Sequence, residues 1–493
     1  NYAFKNACGY LDIRLLGSAE DKIGSVEVTA GGAVIAGSGS VDFGGYASGP
    51  LFVPDEGGST TVRLECGDGI ALNPASATSF HVVLPAGTYA SVGVRARTSD
   101  GRSYSYTKSP EGGVVIERST VTHFKPSEFF DGIEVENLSG ELADRLAGTD
   151  ASSVTALRIT GTLNATDFAY IRENLTALEL LDLSGTEMTV FPNRALAFYD
   201  DANTTLKEVI LPEGLTTIED AAFANCTALE KLDVPSSVSE LGRWILENTA
   251  VETFTIPDGV SEIPASCFYG SAITAMVVPS TVTSFASIYD DDAEGDCGWT
   301  FVACMQLQSL VIEGPVTTIP CDFCWSGQYD AQDNVVLTNL TSLTLPDEVQ
   351  EIGAGAFNGC PITALTLPAQ LREIGDEAFA YCKLTELVLP EGFTTIRGGA
   401  FRNAPLETLD LPSTIEDLDT GRHIYLFNGA GLQTVICRKS TPPALSQLYS
   451  PFCDVAHFTF VNETCVLKVP AASVEDYKAS DWAKYFKIIQ AIE

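Results

Sequence analysis

The sequence predicts a mainly β protein with short helices, in which an N-terminal antiparallel β-sandwich is followed by a parallel-stranded solenoid with helical caps. Three observations support this: short alternating strands fill the first quarter, a phrase of about 22 residues recurs later, and 493 residues exceed one ordinary core. We therefore divide the chain into a sandwich at residues 1–126 and a solenoid at 127–493. Within the solenoid we expect an N-terminal cap at about 133–175, repeats at about 176–436 and a C-terminal cap at about 437–493.

The first 126 residues contain strand patterns but no repeat. Apolar and polar residues alternate in "YLDIRLL", "SVEVTA", "STTVRLEC", "FHVVLP" and "SVGVRARTSDGRSYSYT", and Gly, Ser, Asp and Pro separate these stretches. Short strands of period two between turn residues are typical of an antiparallel β-sandwich. The segment "KPSEFFDG", residues 125–132, is the predicted linker to the solenoid.

A proline closes the phrase L-x-x-L-x-L-P in successive repeats. These prolines are Pro212, Pro235, Pro257, Pro279, Pro346, Pro368, Pro390 and Pro412. They lie 22 or 23 residues apart, except for a step of 67 residues between Pro279 and Pro346. Only one further phrase, "LQSLVIEGP", lies within that step, so we expect an insertion of about a dozen residues on each side of it.

One repeat, residues 362–382, illustrates the physics of the period. The alternation in "ITALTLP" predicts a short strand that buries Ile362, Leu365 and Leu367, and Pro368 ends its hydrogen-bond ladder. Residues Leu371, Ile374, Ala378, Phe379 and Cys382 then follow at the spacing of one face of a helical or 3₁₀ return segment. Each unit buries one side only, so neighbouring units must stack.

The repeat phrase continues as L-x-x-L-x-L-P-x-x-[VL]-x-x-I-x-x-x-A-F-x-x-C, which resembles the BspA-type leucine-rich repeat of surface proteins from Bacteroidales over about residues 150–440. The matching triplets are Ile218, Phe223 and Cys226; Ile352, Phe357 and Cys360; Ile374, Phe379 and Cys382. Two repeats depart from the pattern, one where Trp244 replaces the Ala-Phe pair and one at "TTIPCDFCW". In the first domain, "ACGYLDIRL", "LPAGTY" and "VIERSTVTHF" resemble the second half of fimbrillin-like domains from the same bacteria.

The segments on either side of the repeats fit caps. A polar-faced helix is predicted at about 138–147, followed by a strand and a second helix that begins near Thr166. At the other end, "LKVPAASVEDYKASDWAKYF" is similar to the terminal cap of the same family, with Tyr477, Trp482 and Phe486 closing the last hydrophobic layer. Caps of this kind cover the otherwise open ends of a solenoid.

Charge excludes some functions. The chain has 28 Lys and Arg against 65 Asp and Glu, a formal net charge of -37. Such a field repels phosphate backbones and anionic lipids, so we expect no nucleic-acid partner. No uncharged run approaches the length of a membrane span, so we expect contact with a membrane only through a lipid anchor.

Candidate chemistry is sparse, and we expect no enzyme, no cofactor and no metal site. The four histidines lie in unrelated segments and are assigned to structural or surface roles. Cys321 and Cys324 in "CDFC" have the spacing of a redox or metal motif, but their place in a repeat favours a disulfide or packed thiols. Cys226, Cys360 and Cys382 share one repeat position and are predicted to form a buried ladder. The acids of "YDDDAEGDCGW" are interpreted as a solvated loop, with calcium as the alternative.

The two insertions carry the predicted binding site. They are unnecessary for stacking, and insertions in solenoids map to loops that commonly carry recognition. The candidate ligand-binding residues are Tyr289, Asp290, Asp291, Asp292, Trp299, Trp325 and Tyr329. The alternative is that both loops fold onto the solenoid, with their aromatic residues covering its core and Cys297 or Cys304 bonded to Cys321 or Cys324.

The resemblance implies a function and a location. It implies a non-catalytic protein at the outer surface of a Gram-negative bacterium, exported and held by a lipidated cysteine that precedes Asn1, which adheres as a monomer to an extracellular protein or glycan. The first expectation is adhesion to a host or matrix protein; the alternative is a glycan-capture accessory or a structural surface scaffold. A glycan platform should align aromatic residues along the sheet, and the outward strand positions contain none: Asp182, Ile210, Asp233, Thr255, Val277, Val311, Thr344, Thr366, Val388 and Asp410.

Overall fold

The computed structural model divides into two compact units, Asn1–Glu187 and Met188–Glu493. It describes residues 8–31, 33, 35, 39–42, 51–54, 59–108, 112–117, 120–125, 127–198, 201–290, 295–331, 335–418, 431–443, 445, 453–454, 459–460 and 464–492. This division follows the density of contacts, whereas the sequence boundary after residue 126 follows the start of the cap and repeats. That sequence boundary therefore stays a prediction.

The first unit is built mainly from β-strands. Its strands are β1 (Cys8–Leu16), β2 (Lys22–Ala30), β3 (Gly39–Asp42), β4 (Leu51–Pro54), β5 (Thr61–Ala71), β6 (Thr78–Pro85), β7 (Gly87–Tyr89), β8 (Val92–Thr98), β9 (Ser103–Lys108), β10 (Val114–Ile116), β11 (Val121–His123), β12 (Ser127–Glu128), β13 (Gly132–Asn137), β14 (Ala156–Gly161) and β15 (Leu180–Thr186). Its helices are α1 (Leu142–Arg145), a 3₁₀ turn at Ala151–Ser153 and α2 (Ala165–Asn174).

Two main sheets of the first unit share one core. Strand β1 lies between β6, which is antiparallel to it, and β11, which is parallel to it. In the other sheet β5, β2, β8 and β9 pair antiparallel in that order. Strands β13, β14 and β15 continue this sheet in parallel. Alternate residues of both sheets, among them Leu11, Phe80, Val28 and Tyr104, meet in a single buried cluster. The predicted N-terminal antiparallel β-structure is therefore confirmed.

The segment between the predicted domains differs in detail from the sequence prediction. The predicted linker, residues 125–132, contains β12, which pairs with β1, and the first residue of β13, which pairs with β9. The helix predicted at about 138–147 is shorter, Leu142–Arg145. The second helix begins at Ala165, close to the predicted start, because Asn164 and Asp167 form a reciprocal capping box.

The second unit is a solenoid whose strands are two to four residues long. They are β16 (Val190–Phe191), β17 (Glu208–Ile210), β18 (Thr217–Ile218), β19 (Lys231–Asp233), β20 (Glu240–Leu241), β21 (Glu262–Ile263), β22 (Ala275–Val278), β23 (Ser284–Phe285), β24 (Ile288–Asp290), β25 (Gly295–Cys297), β26 (Ser309–Ile312), β27 (Thr318–Ile319), β28 (Ser342–Thr344), β29 (Glu351–Ile352), β30 (Glu373–Ile374), β31 (Glu386–Val388), β32 (Thr395–Ile396), β33 (Thr408–Leu411), β34 (Asp417–Leu418), β35 (Thr434–Cys437), β36 (Cys453–Asp454), β37 (Thr459–Phe460), β38 (Val466–Val469) and β39 (Ile488–Ala491). Its helical segments are 3₁₀ turns at Ala471–Ser473 and Asp481–Lys484 and the helix α3 (Val474–Lys478).

The strands of successive coils form parallel ladders. One ladder contains β22, β26 and β28, and another runs β31, β33, β35, β38 and β39. A ladder of two-residue strands runs β27, β29, β30, β32 and β34 on the other side of the coil. Leu, Val and Ile side chains from these strands and phenylalanines from the connecting turns fill the interior. The predicted parallel-stranded solenoid is therefore confirmed.

The repeat at residues 362–382 carries less strand than its pattern predicts. Its outer strand is reduced to one bridge, between Ser342 and Ala364, and Leu365 is half-buried where we expected it to be buried. Ile362 and Leu367 are buried as predicted.

The return segment is a series of turns, so the prediction of a helical or 3₁₀ segment is wrong. Alternate backbone N–H groups donate to the next coil, as Phe357 N does to Ala378 O at 2.8 Å and Phe379 N to Ala400 O at 2.8 Å, and the groups between them close turns within the coil. A helix would have used the same groups within the coil. Left-handed residues recur at fixed positions of this turn: Ala221 and Asn225, Trp244 and Asn248, Ser266 and Gly270, Trp299 and Ala303, Gly355 and Gly359, Glu377 and Tyr381, Gly399 and Asn403.

The C-terminal cap closes the solenoid as predicted. Tyr477, Trp482 and Phe486 are buried, and Trp482 Nε1 donates to Pro443 O at 2.9 Å. Across the part of the chain that the structure describes, no helix combines the length and the apolar character that crossing a membrane requires.

Candidate functional site

The first insertion begins with a β-hairpin. Strand β24 pairs antiparallel with β25 through Ile288 and Cys297, Tyr289 and Asp296, and Asp290 and Gly295. Tyr289 and Asp290, both predicted site residues, therefore lie on one strand of the hairpin, where the backbone alone is described. Asp291 and Asp292, which follow Asp290 in the sequence, lie outside the described residues.

A disulfide anchors this hairpin to the next coil. Cys297, the last residue of β25, is bonded to Cys321, with a Cα–Cα distance of 4.6 Å. The two residues also form a parallel bridge, and Gly298 N donates to Cys321 O at 3.0 Å. The sequence left open whether Cys297 or Cys304 is bonded to Cys321 or Cys324. The Cys297–Cys321 disulfide is one of these four pairs. Because Cys321 is bonded to Cys297, the other cysteine of the "CDFC" motif, Cys324, is a free buried thiol.

Trp299 lies on the scaffold and outside the hairpin. It has a φ of 46° and occupies the left-handed turn position that Ser266 takes one coil earlier. Left-handed backbone is unfavourable for a bulky residue, and here the solenoid imposes it at every repeat. The side chain is half-buried, so for Trp299 the structure favours the alternative in which an aromatic residue covers the core.

The second insertion carries an exposed aromatic side chain. Tyr329 is 57% exposed, and its ring packs edge-on against Trp325 with centroids 6.4 Å apart. A bridge from Tyr329 to Val335 and a hydrogen bond from Val336 N to Gln328 O at 3.0 Å close a short loop. Trp325 is half-buried, and its Nε1 is buried without an acceptor among the described residues.

The two insertions lie on consecutive coils. Ala303 N donates to Trp325 O at 3.0 Å, and Phe301 N donates to Phe323 O at 2.8 Å, so the turn that carries Trp299 stacks directly on the turn that carries Trp325. We call the hairpin β24–β25 with Trp325 and Tyr329 the insertion site. Of the predicted residues, the structure brings Trp325 and Tyr329 into ring contact and places Tyr289, Asp290 and Trp299 on the preceding coil.

The buried cysteines do not form a reactive centre. Cys226, Cys360 and Cys382 are fully buried, which confirms that part of the prediction. Burial raises the pKa of the Cys226 thiol and of the Cys304 thiol to about 12, so both stay neutral and unreactive. Cys297, Cys321 and Asp322 approach one another closely, but the disulfide consumes both sulfur atoms.

The first unit contains a groove that the sequence did not indicate. It has a volume of about 330 Å³ and is lined by strands β2, β8, β9 and β13 together with α1. Its walls include Glu27, Arg95, Glu134 and Arg145. Glu134 is buried and accepts a hydrogen bond from Tyr104 Oη at 2.6 Å, so it is part of the internal structure. A mixed polar wall of this kind does not indicate a ligand class.

Sequence reasoning missed a cluster in the first unit. Two of the four histidines, His81 and His123, flank the buried Asp12 on neighbouring strands. His123 Nδ1 lies 2.8 Å from Asp12 Oδ2. The three residues are far apart in sequence, and the only signal was that each stands at a polar position of an alternating strand. No described serine or cysteine shares a hydrogen bond with either imidazole, so no nucleophile accompanies the pair.

Comparison with known protein families gives a match within the solenoid. Residues 195–328 and 335–441 match the model of the BspA type leucine rich repeat region in six copies. No curated protein matched the chain.

Several solved structures are similar to this chain. A leucine-rich repeat protein from Bacteroides ovatus has 16% identity over 64% of this chain and 71% of its own, with a TM-score of 0.45. A leucine rich cell surface protein from Faecalibacterium prausnitzii has 17% identity over 66% and 88%, with a TM-score of 0.28. The pneumococcal vaccine antigen PcpA has 17% identity over 78% and 81%, with a TM-score of 0.24. At these identities and TM-scores the likeness says nothing about ligands. The repeat phrase and its stacking into parallel ladders agree with the family match: residues 195–328 and 335–441 match the BspA type leucine rich repeat region.

Proposed function

We propose that this protein is a non-catalytic binding protein of the cell surface that adheres to a host or matrix protein through the insertion site. The observation that carries the proposal is that two insertions unnecessary for the fold lie on consecutive coils, joined by the Cys297–Cys321 disulfide. Loops held on a rigid frame are where recognition residues are commonly found. Preorganisation also lowers the entropy cost of binding.

Tyr329 is the proposed anchor of the site. It is more than half exposed, yet its ring is held by Trp325. A rigid, amphipathic aromatic side chain loses little conformational freedom on binding, which is why Tyr and Trp are enriched among the residues that dominate binding energy. The Nε1 of Trp325 is buried without an acceptor among the described residues, so an acceptor can reach it once the loop rearranges.

Charge indicates the kind of partner. The formal net charge is -37, and the sequence of the first insertion is rich in the acids that contribute to it. An acidic surface of this strength attracts a partner with a basic patch and speeds the encounter at low salt. The proposed partner is therefore a protein with a basic surface, and binding should weaken as ionic strength rises.

The disulfide also supports the proposed location. Disulfides persist in oxidising compartments and are rare in the bacterial cytosol. Export and attachment through a lipidated cysteine complete the proposal, as the resemblance implies. The fimbrillin-like interpretation of residues 1–126 also remains a prediction.

The glycan alternative has less support from the described surface. Outward strand positions such as Thr255, Val277, Thr344 and Val388 are exposed but not aromatic, and so offer no face on which a sugar ring could stack. A glycan could still use Tyr329, so the test must include glycans.

The test probes an array of extracellular-matrix proteins and glycans with the parent protein and with Tyr329→Ala. Loss of a central aromatic anchor should weaken binding about tenfold or more, because hot-spot truncations cost at least about 1 to 2 kcal/mol. The melting temperature should not change, because most of the ring is exposed. Phe198→Ala is the control, since Phe198 is an aromatic residue of the same unit that is 43% exposed and lies outside both insertions. If Tyr329→Ala and Phe198→Ala bind like the parent, the insertion site is not the binding surface.

A further inference from the structure

Three neighbouring strands of the first unit bring His81, Asp12 and His123 into one row. Strand β1 lies between β6 and β11, and Asp12 is the register partner of both histidines. Register partners on adjacent strands point to the same face of a sheet. Leu11 and Ile13, the neighbours of Asp12 on β1, are buried in the core, so this row lies on the other face.

The carboxylate of Asp12 is not fully satisfied. Its residue is only 3% exposed. Oδ2 is 2.8 Å from His123 Nδ1, whereas Oδ1 is buried and has no hydrogen-bond partner among the described residues. His81 Nε2 lies 3.6 Å from that oxygen, too far for a good hydrogen bond. Burying a carboxylate oxygen without a partner costs desolvation free energy, which indicates that a ligand or ion binds to this oxygen.

One distance in this row is close to the ligand separation of a metal site. In a tetrahedral zinc site, bonds of about 2.0 to 2.2 Å place two ligand atoms roughly 3.3 Å apart. The 3.6 Å between His81 Nε2 and Asp12 Oδ1 is close to that separation. Each imidazole nitrogen lies beside a different oxygen of the same carboxylate, so both rings must turn toward one point to share an ion. The His81 and His123 side chains are 55% and 61% exposed, which leaves them free to adjust.

The surroundings also fit. The adjacent row on the same face consists of Val83, Tyr10 and Val121, in register with one another. These three side chains border the site on one side and are themselves exposed. Two imidazole nitrogens and a carboxylate suit zinc and its neighbours in the first transition row far better than calcium or magnesium, which prefer oxygen ligands.

We propose that Asp12, His81 and His123 form a binding site for one divalent transition-metal ion, with zinc as the best fit. The three side chains supply three ligands, and water completes the coordination. The ion would tie β6, β1 and β11 together across the sheet, so that the metal stabilises the first unit. The site is independent of the insertion site and of the proposed adhesion.

The test measures zinc binding by the full chain with a chromophoric competitor. Accessible thiols are first blocked with N-ethylmaleimide, because Cys8 and Cys66 are only half-buried and thiolates also bind zinc. The parent should bind one equivalent and gain thermal stability with zinc. His81→Gln and His123→Gln should each weaken binding by about tenfold or more and remove that gain. Asp12→Asn should do the same; if it fails to fold, the two histidine variants decide.

The control is His457→Gln, which changes one of the two histidines outside the cluster and should bind zinc like the parent. Melting temperatures without metal establish that each variant is folded. The proposal is overturned if the parent binds no zinc, or if folded His81→Gln and His123→Gln bind as tightly as the parent. It is equally overturned if zinc binding survives these changes but is lost when Asp290, Asp291 and Asp292 become Asn, since the ion would then belong to the acidic loop.

Discussion

Phe379→Ala should destabilise the centre of the repeat region strongly. Phe379 is fully buried, and its ring stacks between Phe357 at 5.4 Å and Phe401 at 5.6 Å, with interplanar angles of 17° and 7°. Removal of the ring takes a contact from both neighbours and leaves a cavity. Phe-to-Ala changes in cores cost about 3 to 5 kcal/mol, and the cost rises when the site cannot collapse.

The backbone explains why this site should not collapse. Phe379 N donates to Ala400 O and Phe357 N to Ala378 O, each at 2.8 Å, so hydrogen bonds fix the spacing of the coils. The rings above and below are themselves held by further coils. We therefore expect a loss in the upper half of that range, about 4 to 5 kcal/mol.

Native-state hydrogen exchange is the appropriate assay, because a solenoid opens locally and one global unfolding energy does not describe it. Protection of the amides of Phe357, Phe379 and their neighbours should fall by about a thousandfold, since each 1.4 kcal/mol is a factor of ten. Phe379→Leu keeps most of the volume and should lose less than about 1.5 kcal/mol. A loss below about 1 kcal/mol for Phe379→Ala would refute the stacked-ring account.

Two further predictions concern cysteines. The Cys297–Cys321 disulfide closes a sequence separation of 24 residues, so its loss through the double change to Ala should cost about 3 kcal/mol. Reductant should destabilise the parent by a similar amount and leave the double variant unchanged. A parent whose stability is insensitive to reductant would contradict this prediction. The second prediction is alkaline destabilisation: burial raises the pKa of Cys226 and of Cys304 from 9.0 to about 12, so above pH 9 the unfolded chain ionises these thiols while the folded chain keeps them neutral. Stability should therefore be fully present below about pH 9 and fall by about 1.4 kcal/mol per thiol and pH unit up to about pH 12, measured by urea titration. Replacing both residues by Ala should reduce that slope without removing it, because burial also raises the pKa of Cys382 and of Cys465 to about 11. An unchanged slope would show that other groups cause it.

The repeat architecture could be predicted because it depends on a local sequence pattern with a fixed period. Ile218, Phe223 and Cys226 recur with fixed phase, and their burial follows directly from that phase. The conformation of the return segment could not be predicted in the same way. Trp244, Trp299 and Glu377 adopt left-handed backbone although none favours it, because hydrogen bonds to the next coil outweigh the local preference.

The candidate sites differ in how far the sequence indicates them. The insertions are visible as breaks in a 22-residue period, and Cys297 and Cys321 lie within that region. The pairing of those two cysteines could not be chosen from the alternatives without the stacking register. Asp12, His81 and His123 meet only because β11 and β6 flank β1, a parallel and an antiparallel pairing that no local pattern specifies.

Hydrogen-exchange footprinting of the bound state tests the central claim, that the insertion site is the recognition surface. The tightest ligand from the matrix and glycan array is added, and amide protection is compared with that of the free chain. We expect new protection at residues 288–290, 295–303 and 321–331, on the two disulfide-linked coils. Protection confined to the unit Asn1–Glu187, or to coils away from the insertions, would contradict the account.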